Sequence, residues 1–435
     1  MYKLNTESIL HHEYFQVIQF IFTNIVHLFK PTKIKLIVIN KPPLMNNLPL
    51  QNIKVLEFTH AVMGPAAGLI MADLGAEVIH IEPLEGDSTR RLKGFGIGYH
   101  SFYNRNKKSL AIDIKSEKGR EIILKMVETA DVLIENFGPG TMERLGFGYE
   151  ALSKINDKLV YCSLKGFLSG PYEKRHAMDE VVQMMGGLAY MTGPVGQPLR
   201  AGTSVIDITG GMFGIIGTLS ALYEREITGK GKFVKSALFE TTAFLMGQHM
   251  AVSALTGVPV PPMPARVSAW SIYKTFESKD GEQVFVGIIS EKHWERFCIA
   301  FEKNDWFLDE RLKTNNRRID ERDWFLPAVD ELMKGYSKAE IIHKCEQAEI
   351  PVAPIARPED LFEDPQLNQG GSLFNTTIQG GIQTKLPKIP LEMEDVEFLL
   401  KHNPPKIGED SVEILKGFGY LEKEIEGLVL EKIIA

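Results

Sequence analysis

The chain has 435 residues, of which 44% are hydrophobic and 24% are charged, and its formal net charge is −7. This length predicts two or three domains, and the composition is that of an ordinary soluble globular protein. The acidic balance argues against nucleic-acid binding, and three widely spaced cysteines without zinc-type ligand spacing argue against a metal site and favour a reducing, cytoplasmic environment.

Residues 1–47 are predicted to be a leader of doubtful role. The apolar stretch at 14–29 is interrupted by Gln16, Gln19, Thr23, Asn24 and His27. It is shorter than the ~20 apolar residues that a membrane span needs. It also lacks the basic start and the small-residue cleavage site of a signal peptide. We therefore expect no membrane partner, and we expect the main fold to begin near residue 48.

Residues 48–255 predict a large α/β domain. Helical patterns lie at 64–75, 117–128 and 210–223, and a further one extends to about 255. Strand patterns lie at 53–58, 76–82, 132–135, 159–164 and 233–237. Strands that alternate with helices indicate a doubly wound parallel sheet. The first turn after a strand, Thr59-His-Ala-Val-Met-Gly-Pro65, has neither the dinucleotide fingerprint nor a P-loop, which argues against NAD enzymes and P-loop NTPases.

The second half predicts a smaller α+β domain. Four prolines within 257–264 mark a linker, placed at 256–270. The small domain, 271–370, has an Asp280-Gly281 hairpin signal between two strands, helical patterns at 292–301 and 338–349, and an edge strand at 350–355. Residues 371–435 are expected to return to the large domain and to end in a helix.

Asp207 is the most informative single residue. It lies among apolar Val205, Ile206 and Ile208, ahead of the pair Gly210-Gly211. Burying an unpaired carboxylate is costly, so a carboxylate at a turn into a helix is a candidate nucleophile or acid/base. An aspartate before a helix is also commonly an N-cap, and the local sequence alone favours the cap.

Several segments resemble one family, the class III CoA-transferases, also called CaiB/BaiF. These segments occur in the same order as in the family and cover about 48–430. The first is 55–65, and the second is 73–83, which is followed by Gly86-Asp87 and Arg90. The others are 104–115, 130–140 with Arg144 after it, the Asp207 segment, and 228–231. The resemblance implies an enzyme that moves CoA between an acyl-CoA and a carboxylic acid through an aspartyl anhydride and an aspartyl-CoA thioester. It also implies an interlocked homodimer, with CoA and acyl-CoA as substrates and no permanently bound cofactor or metal.

The resemblance makes Asp207 the nucleophile, and N–H groups near Gly210 and Gly211 are candidates to stabilise its oxyanions. Asp179 matches an acidic position close to the nucleophile, with a helix cap as the alternative. His60 and Arg200 are expected to contact the substrate, although His60 is equally suited to capping its strand.

The CoA site is expected to include four residues. Asn136, Phe137 and Arg144 match family positions that hold CoA, and Ile112 matches a position that lines the adenine pocket. An arginine pairs well with phosphate oxygens. The alternative for Arg144 is a solvated helix residue, and the alternative for Phe137 is a core position.

Departures from the family pattern bear on the substrate. Val62 and Pro83 replace a glutamine and an arginine of the formyl-CoA transferases, and the glycine-rich flap has no counterpart at 265–270. The stretch 170–193 instead resembles members that act on C4–C5 dicarboxylates, for which Arg200 and Arg266 are candidates to hold the distal carboxylate.

Two other functions compete with CoA transfer. An acyl-CoA racemase or epimerase of the same fold has a catalytic histidine where this chain has Met178, so the sequence argues against it. A non-catalytic CoA-ester-binding paralogue is the third hypothesis, and the intact Asp207 argues against it.

Overall fold

A computed structural model describes residues 48–435, and the leader at 1–47 lies outside the described residues. The main sheet has six parallel strands in the order β3-β2-β1-β4-β5-β6. Their bounds are β1 Lys54–Phe58, β2 Glu77–Glu82, β3 Lys107–Ala111, β4 Val132–Glu135, β5 Val160–Lys165 and β6 Phe233–Ala237. The strand order reverses between β1 and β4, and ligands of open α/β sheets bind beyond the carboxyl ends at such a point. The predicted α/β fold class is confirmed.

Helices cover both faces of this sheet. In chain order they are α1 Met63–Asp73, α2 Tyr99–Tyr103, α3 Glu117–Val127, α4 Thr141–Leu145, α5 Tyr149–Leu152, α6 Asp179–Met185, α7 Leu188–Thr192, α8 Val205–Thr228, α9 Leu238–Leu245 and α10 Gly247–Thr256. Alternate residues of a strand point to opposite faces. In β1, accordingly, Leu56 and Phe58 pack against α3 on one face, and Val55 belongs to the core shared with α1 and α8 on the other.

The small sheet is antiparallel and has its own core. Its order is β7-β8-β9, with β7 Ile272–Glu277, β8 Gln283–Ile288 and β9 Val352–Pro354. The helices beside it are α11 Glu291–Ala300, α12 Asn304–Leu308, α13 Asn315–Asp320, α14 Arg322–Met333 and α15 Lys338–Gln347. Trp294, Phe297 and Phe325 lie at the centre of this core.

The last part of the chain contacts the main sheet again. It comprises α16 Pro365–Gln369, the hairpin of β10 Leu373–Ile378 and β11 Ile382–Pro387, α17 Ser411–Gly417 and α18 Glu422–Leu430. Ile414, Leu415 and Ile425 are buried in the core that β1 and α3 share.

Helix α8 carries Asp207 and is packed closely on its neighbours. A Cβ on Gly211 would lie 2.7 Å from the carbonyl oxygen of Met63 in α1, and one on Gly214 would lie 2.5 Å from Cδ2 of Leu164 in β5. Among the described residues this helix is also long and apolar enough to cross a membrane by length and composition, a test that buried core helices pass as well. Close packing on α1 and β5 therefore explains its glycines.

Candidate active site

A cavity of about 480 Å³ opens at the point where the strand order reverses. It lies beyond the carboxyl ends of β1, β4 and β5, as expected for this topology. Its lining includes polar, charged and apolar side chains, among them His60, Asn136, Phe137, Lys165, Arg175, Met178, Asp179, Glu180, Arg200 and Asp207. Six of the eight predicted site residues therefore line this cavity, whereas Arg144 and Ile112 do not.

Asp207 occupies the first turn of α8, with Ser204 at the N-cap position. The interpretation of Asp207 as the N-cap is thus wrong, because the helix begins at Val205 and not at Gly210. Gly210 and Gly211 lie inside the helix, where each N–H bonds to the carbonyl four residues earlier. The expected use of their amides as an oxyanion site is therefore not supported.

Asp179 caps a helix, but not its own. It is the first residue of α6, and its Oδ2 accepts hydrogen bonds from the main-chain N–H groups of Ile206 (2.8 Å) and Asp207 (3.1 Å). These amides belong to the first turn of α8, which lacks partners within its own helix. Asp179 therefore caps the first turn of α8 and lies beside Asp207, and its role in catalysis stays a prediction.

Asp207 has a strongly raised pKa. Burial raises the pKa of Asp207 to about 7, the negative charge of Asp179 adds to that rise, and Arg200 opposes it. A carboxyl group with such a pKa is a stronger base than an ordinary aspartate and still ionises near neutral pH. Perturbed carboxyl groups in a cavity are typical of functional sites.

Arg200 faces both acidic residues of α6. Its Nη1 forms an ion pair with Glu180, and its Nη2 lies 3.9 Å from Oδ1 of Asp179. The guanidinium is therefore positioned at the cavity by two carboxylates. Arg266, its predicted companion, does not line this cavity.

His60 and Asn136 are joined across the switch point. Asn136 Oδ1 accepts from the His60 N–H at 3.0 Å, and Asn136 Nδ2 donates to the His60 carbonyl oxygen at 2.8 Å. The His60 ring stacks on Phe137, with centroids 5.6 Å apart. The amide of Asn136 thus holds the loop after β1, which leaves one N–H of its side chain for a ligand.

Phe137 is fixed by a buried acid that sequence reasoning missed. Glu135 Oε2 accepts from the Phe137 N–H and from Lys165 Nζ, and Lys165 also donates to the Phe137 carbonyl oxygen. The sequence did contain a signal for this residue: Glu135 ends the otherwise apolar strand Val132-Leu-Ile-Glu135. A carboxylate buried at the end of such a strand needs a hydrogen-bond or ion-pair partner.

The other two predicted CoA residues do not line the cavity. Arg144 is exposed on α4, next to the turn that contains Gly138 and Pro139 of the lining, and its guanidinium donates to Thr141 Oγ1 at 2.9 Å. Ile112 is 1% exposed in the core and forms an isolated bridge with Ile434. Its side chain therefore has no free surface for an adenine ring in this structure.

Comparison with known proteins decides the family. The model of CoA-transferase family III matches residues 50–411. The chain belongs to CoA-transferase family III. The predicted resemblance is confirmed, and so is the prediction of an enzyme that transfers CoA.

Curated relatives of this family align over most of the chain. Acetyl-CoA:oxalate CoA-transferase of Acetobacter aceti is 35% identical over 85% of this chain and 96% of its own length. Succinate–glutarate CoA-transferase of Agrobacterium fabrum is 29% identical over 86% of this chain and 97% of its own length. Human succinyl-CoA:glutarate CoA-transferase is 29% identical over 86% of both chains.

A solved structure agrees with the fold. The CaiB/BaiF family protein from Brucella suis has a TM-score of 0.76 and 30% identity, covering 86% of this chain and 100% of that chain. As a member of this family, the chain uses CoA thioesters as substrates.

Proposed function

We propose that Asp207 is the nucleophile of this CoA-transferase. Its carboxylate attacks the thioester carbonyl of the donor, the C–S bond breaks, and a mixed anhydride and CoA thiolate result. The thiolate then attacks the Asp207 carbonyl and releases the donor acid, which leaves an aspartyl-CoA thioester. The acceptor carboxylate reverses these steps and takes the CoA. Two similar acyl exchanges thereby replace one difficult exchange.

The observation that carries this proposal is the placement of Asp207. It is a carboxylate at the switch point of the sheet, in a cavity with Asp179 and Arg200, and its pKa is raised to about 7 by burial and by Asp179. Attack requires the ionised form, which this pKa leaves available near neutral pH. The raised basicity strengthens the nucleophile.

Arg200 and His60 are proposed to contact the acyl and acid groups, and Asn136, Phe137 and Arg144 to contact CoA. Phe137 and His60 present stacked rings at the cavity wall, and Arg144 lies one turn beyond that wall with an exposed guanidinium. An exposed guanidinium beside a ligand cavity suits a phosphate contact. Ile112 is not included in this proposal, because its side chain is buried and its N–H already donates to the carbonyl oxygen of Glu82 at 2.9 Å.

The proposed acids are dicarboxylates. The relatives are named for oxalate, for succinate and glutarate, and for L-malate, and each of these acids carries two carboxylates. Cations line this cavity as well, namely Lys165, Arg175 and Arg200. A second carboxylate on the substrate would be matched by such charges.

We propose a cytoplasmic homodimer. Helices α8 to α10 expose large apolar side chains, including Ile216, Phe244 and Leu255, the last of which is 88% exposed. Apolar patches of this kind mark interfaces, and the family resemblance implies a second copy as the occupant. Size-exclusion chromatography with light scattering tests the dimer.

The cytoplasmic location is supported by the cysteines. Cys162, Cys298 and Cys345 are free thiols, which suit a reducing compartment.

The decisive experiment follows new CoA esters by mass spectrometry. The purified protein is incubated with a panel of acyl-CoAs and acids, and we expect transfer to dicarboxylic acids that Asp207→Asn abolishes. Hydroxylamine added during turnover should convert Asp207 to a hydroxamate only when acyl-CoA is present. Modification at Asp179 instead would reassign the nucleophile, and CoA-ester binding without any transfer would favour the non-catalytic paralogue.

Racemisation is the second candidate that the panel tests. Met178, at the position of the racemase histidine, is 66% exposed at the cavity and has no group that can accept a proton. Deuterium uptake from D₂O into the α-carbon of a branched acyl-CoA would support racemisation, and its absence together with transfer supports the proposal.

A further inference from the structure

Gln183 lies behind the cavity and connects two of its walls. It is fully buried one turn after Asp179 on α6. Its Nε2 donates to Oδ1 of Asp179 at 2.5 Å, and its Oε1 accepts from the N–H of Ala201 at 2.9 Å. Ala201 directly follows Arg200. The carboxamide of Gln183 thus connects Asp179 to the loop that carries Arg200.

A carboxamide suits this position because it supplies one donor and one acceptor. The Ala201 N–H needs an acceptor, and Asp179 needs a donor. An apolar side chain would leave both groups without their partner in a buried setting, which is costly. A carboxylate would accept from Ala201 but would face the carboxylate of Asp179.

Asp179 is surrounded by donors. Oδ2 accepts from the N–H groups of Ile206 and Asp207, and Oδ1 accepts from Gln183. Three donors therefore fix the orientation of this side chain, and both of its oxygens act as acceptors. The charged and titratable groups that face it are Asp207 on α8, Arg200 on the loop after α7, its ion-pair partner Glu180 on α6, and Tyr103 on α2.

We propose that Gln183 is a positioning residue for the transfer reaction, which holds the side chain of Asp179 against the first turn of α8 and fixes the loop of Arg200 at the cavity. This inference rests on the proposed roles of Asp207 and Asp179. Gln183 itself need not contact the substrate, because it acts through these two neighbours.

Two substitutions test it through the pH dependence of kcat/KM. In Gln183→Glu, two adjacent carboxylates share a proton, so the hydrogen bond to Asp179 persists only while that proton is bound. We expect a descending alkaline limb that the wild type lacks. Gln183→Met removes both hydrogen bonds at similar volume, and we expect kcat/KM on the order of tenfold lower at every pH.

Gln347→Glu is the matched control, because Gln347 is exposed on α15 in the small domain; its profile should follow the wild type. If Gln183→Glu keeps the wild-type profile, or if Gln183→Met stays within twofold of the wild type, the inference is overturned. If Gln183→Glu does not fold, Gln183→Met decides. Wild-type protein that transfers CoA to no acid, or an Asp207→Asn variant that remains active, would instead overturn the proposed function.

Discussion

Asp179 holds the main chain of Asp207: its Oδ2 accepts the Asp207 N–H at 3.1 Å and the preceding N–H at 2.8 Å. Asp179 therefore fixes the helix turn that carries Asp207. Its negative charge also disfavours the ionised form of Asp207, because like charges repel, and so contributes to the raised pKa of Asp207. One side chain thus anchors the helix turn of Asp207, the proposed nucleophile, and also raises the pKa of its carboxyl group.

The first prediction concerns the pH dependence of the wild-type enzyme. The proposed attack needs ionised Asp207, whose pKa is raised to about 7 by burial and by Asp179. We expect kcat/KM to rise with pH up to about 7 and then to level off. Initial rates with a fixed acyl-CoA donor between pH 5 and 9 measure this, and a profile that is flat across pH 5–8 would contradict it.

Two substitutions should move this acid limb in opposite directions. Arg200→Met removes a cation that favours ionised Asp207, so the limb should move to higher pH. Asp179→Asn removes a like charge, so the limb should move to lower pH, with some loss of helix anchoring. Shifts in the same direction for both variants would show that neither acts through the charge of Asp207.

The fold was predictable where the signals are local. Strands 132–135 and 233–237 and the helix at 117–128 appear almost as the sequence indicates, with Ser116 capping that helix through a hydrogen bond to the Gly119 N–H. The hairpin at 373–387 was missed, although the glycine pair Gly380-Gly381 at its turn was a usable signal.

Misses elsewhere have a tertiary cause. Strand β3 begins with two lysines, yet Lys107 is fully buried because Glu57, 50 residues earlier, binds it at 2.8 Å. Likewise α8 begins five residues before its predicted start, and its first turn depends on Asp179, which no local pattern near Ser204 reveals. Only the family resemblance indicated that Asp207, Asp179 and His60 lie in one cavity.

Asp207→Asn should stabilise the fold at neutral and alkaline pH. The folded state binds the Asp207 proton more tightly than the unfolded chain, so folding stability is lost as pH rises from about 4 to about 7. Asparagine avoids this loss. We expect a gain of roughly 1–3 kcal/mol in the free energy of unfolding at pH 8, and none at pH 3.5. Urea denaturation at both pH values measures the difference, and equal gains at both would contradict the assignment.

Arg144→Ala should weaken the use of acyl-CoA more than it slows chemistry. A phosphate contact far from the reacting carbonyl is present in both ground and transition states, so its loss raises KM and leaves kcat nearly unchanged. Lys118→Ala is a suitable control, since Lys118 is an exposed cation paired with Glu431. A fall in kcat with an unchanged KM for acyl-CoA would argue against a phosphate contact.

The buried ion pair under α1 gives the last prediction. A Cβ on Gly68 would lie 1.8 Å from Oε1 of Glu57 and 3.1 Å from Nζ of Lys107. Gly68→Ala would therefore separate two fully buried charges, and we expect a loss of about 3 kcal/mol in the free energy of unfolding. Gly427→Ala is the matched control, because a Cβ there meets nothing within 4 Å in α18. Since alanine favours helix over glycine, that variant should gain about 0.5–1 kcal/mol. Losses of similar size in both variants would show that general helix effects, and not the ion pair, explain the requirement for glycine at 68.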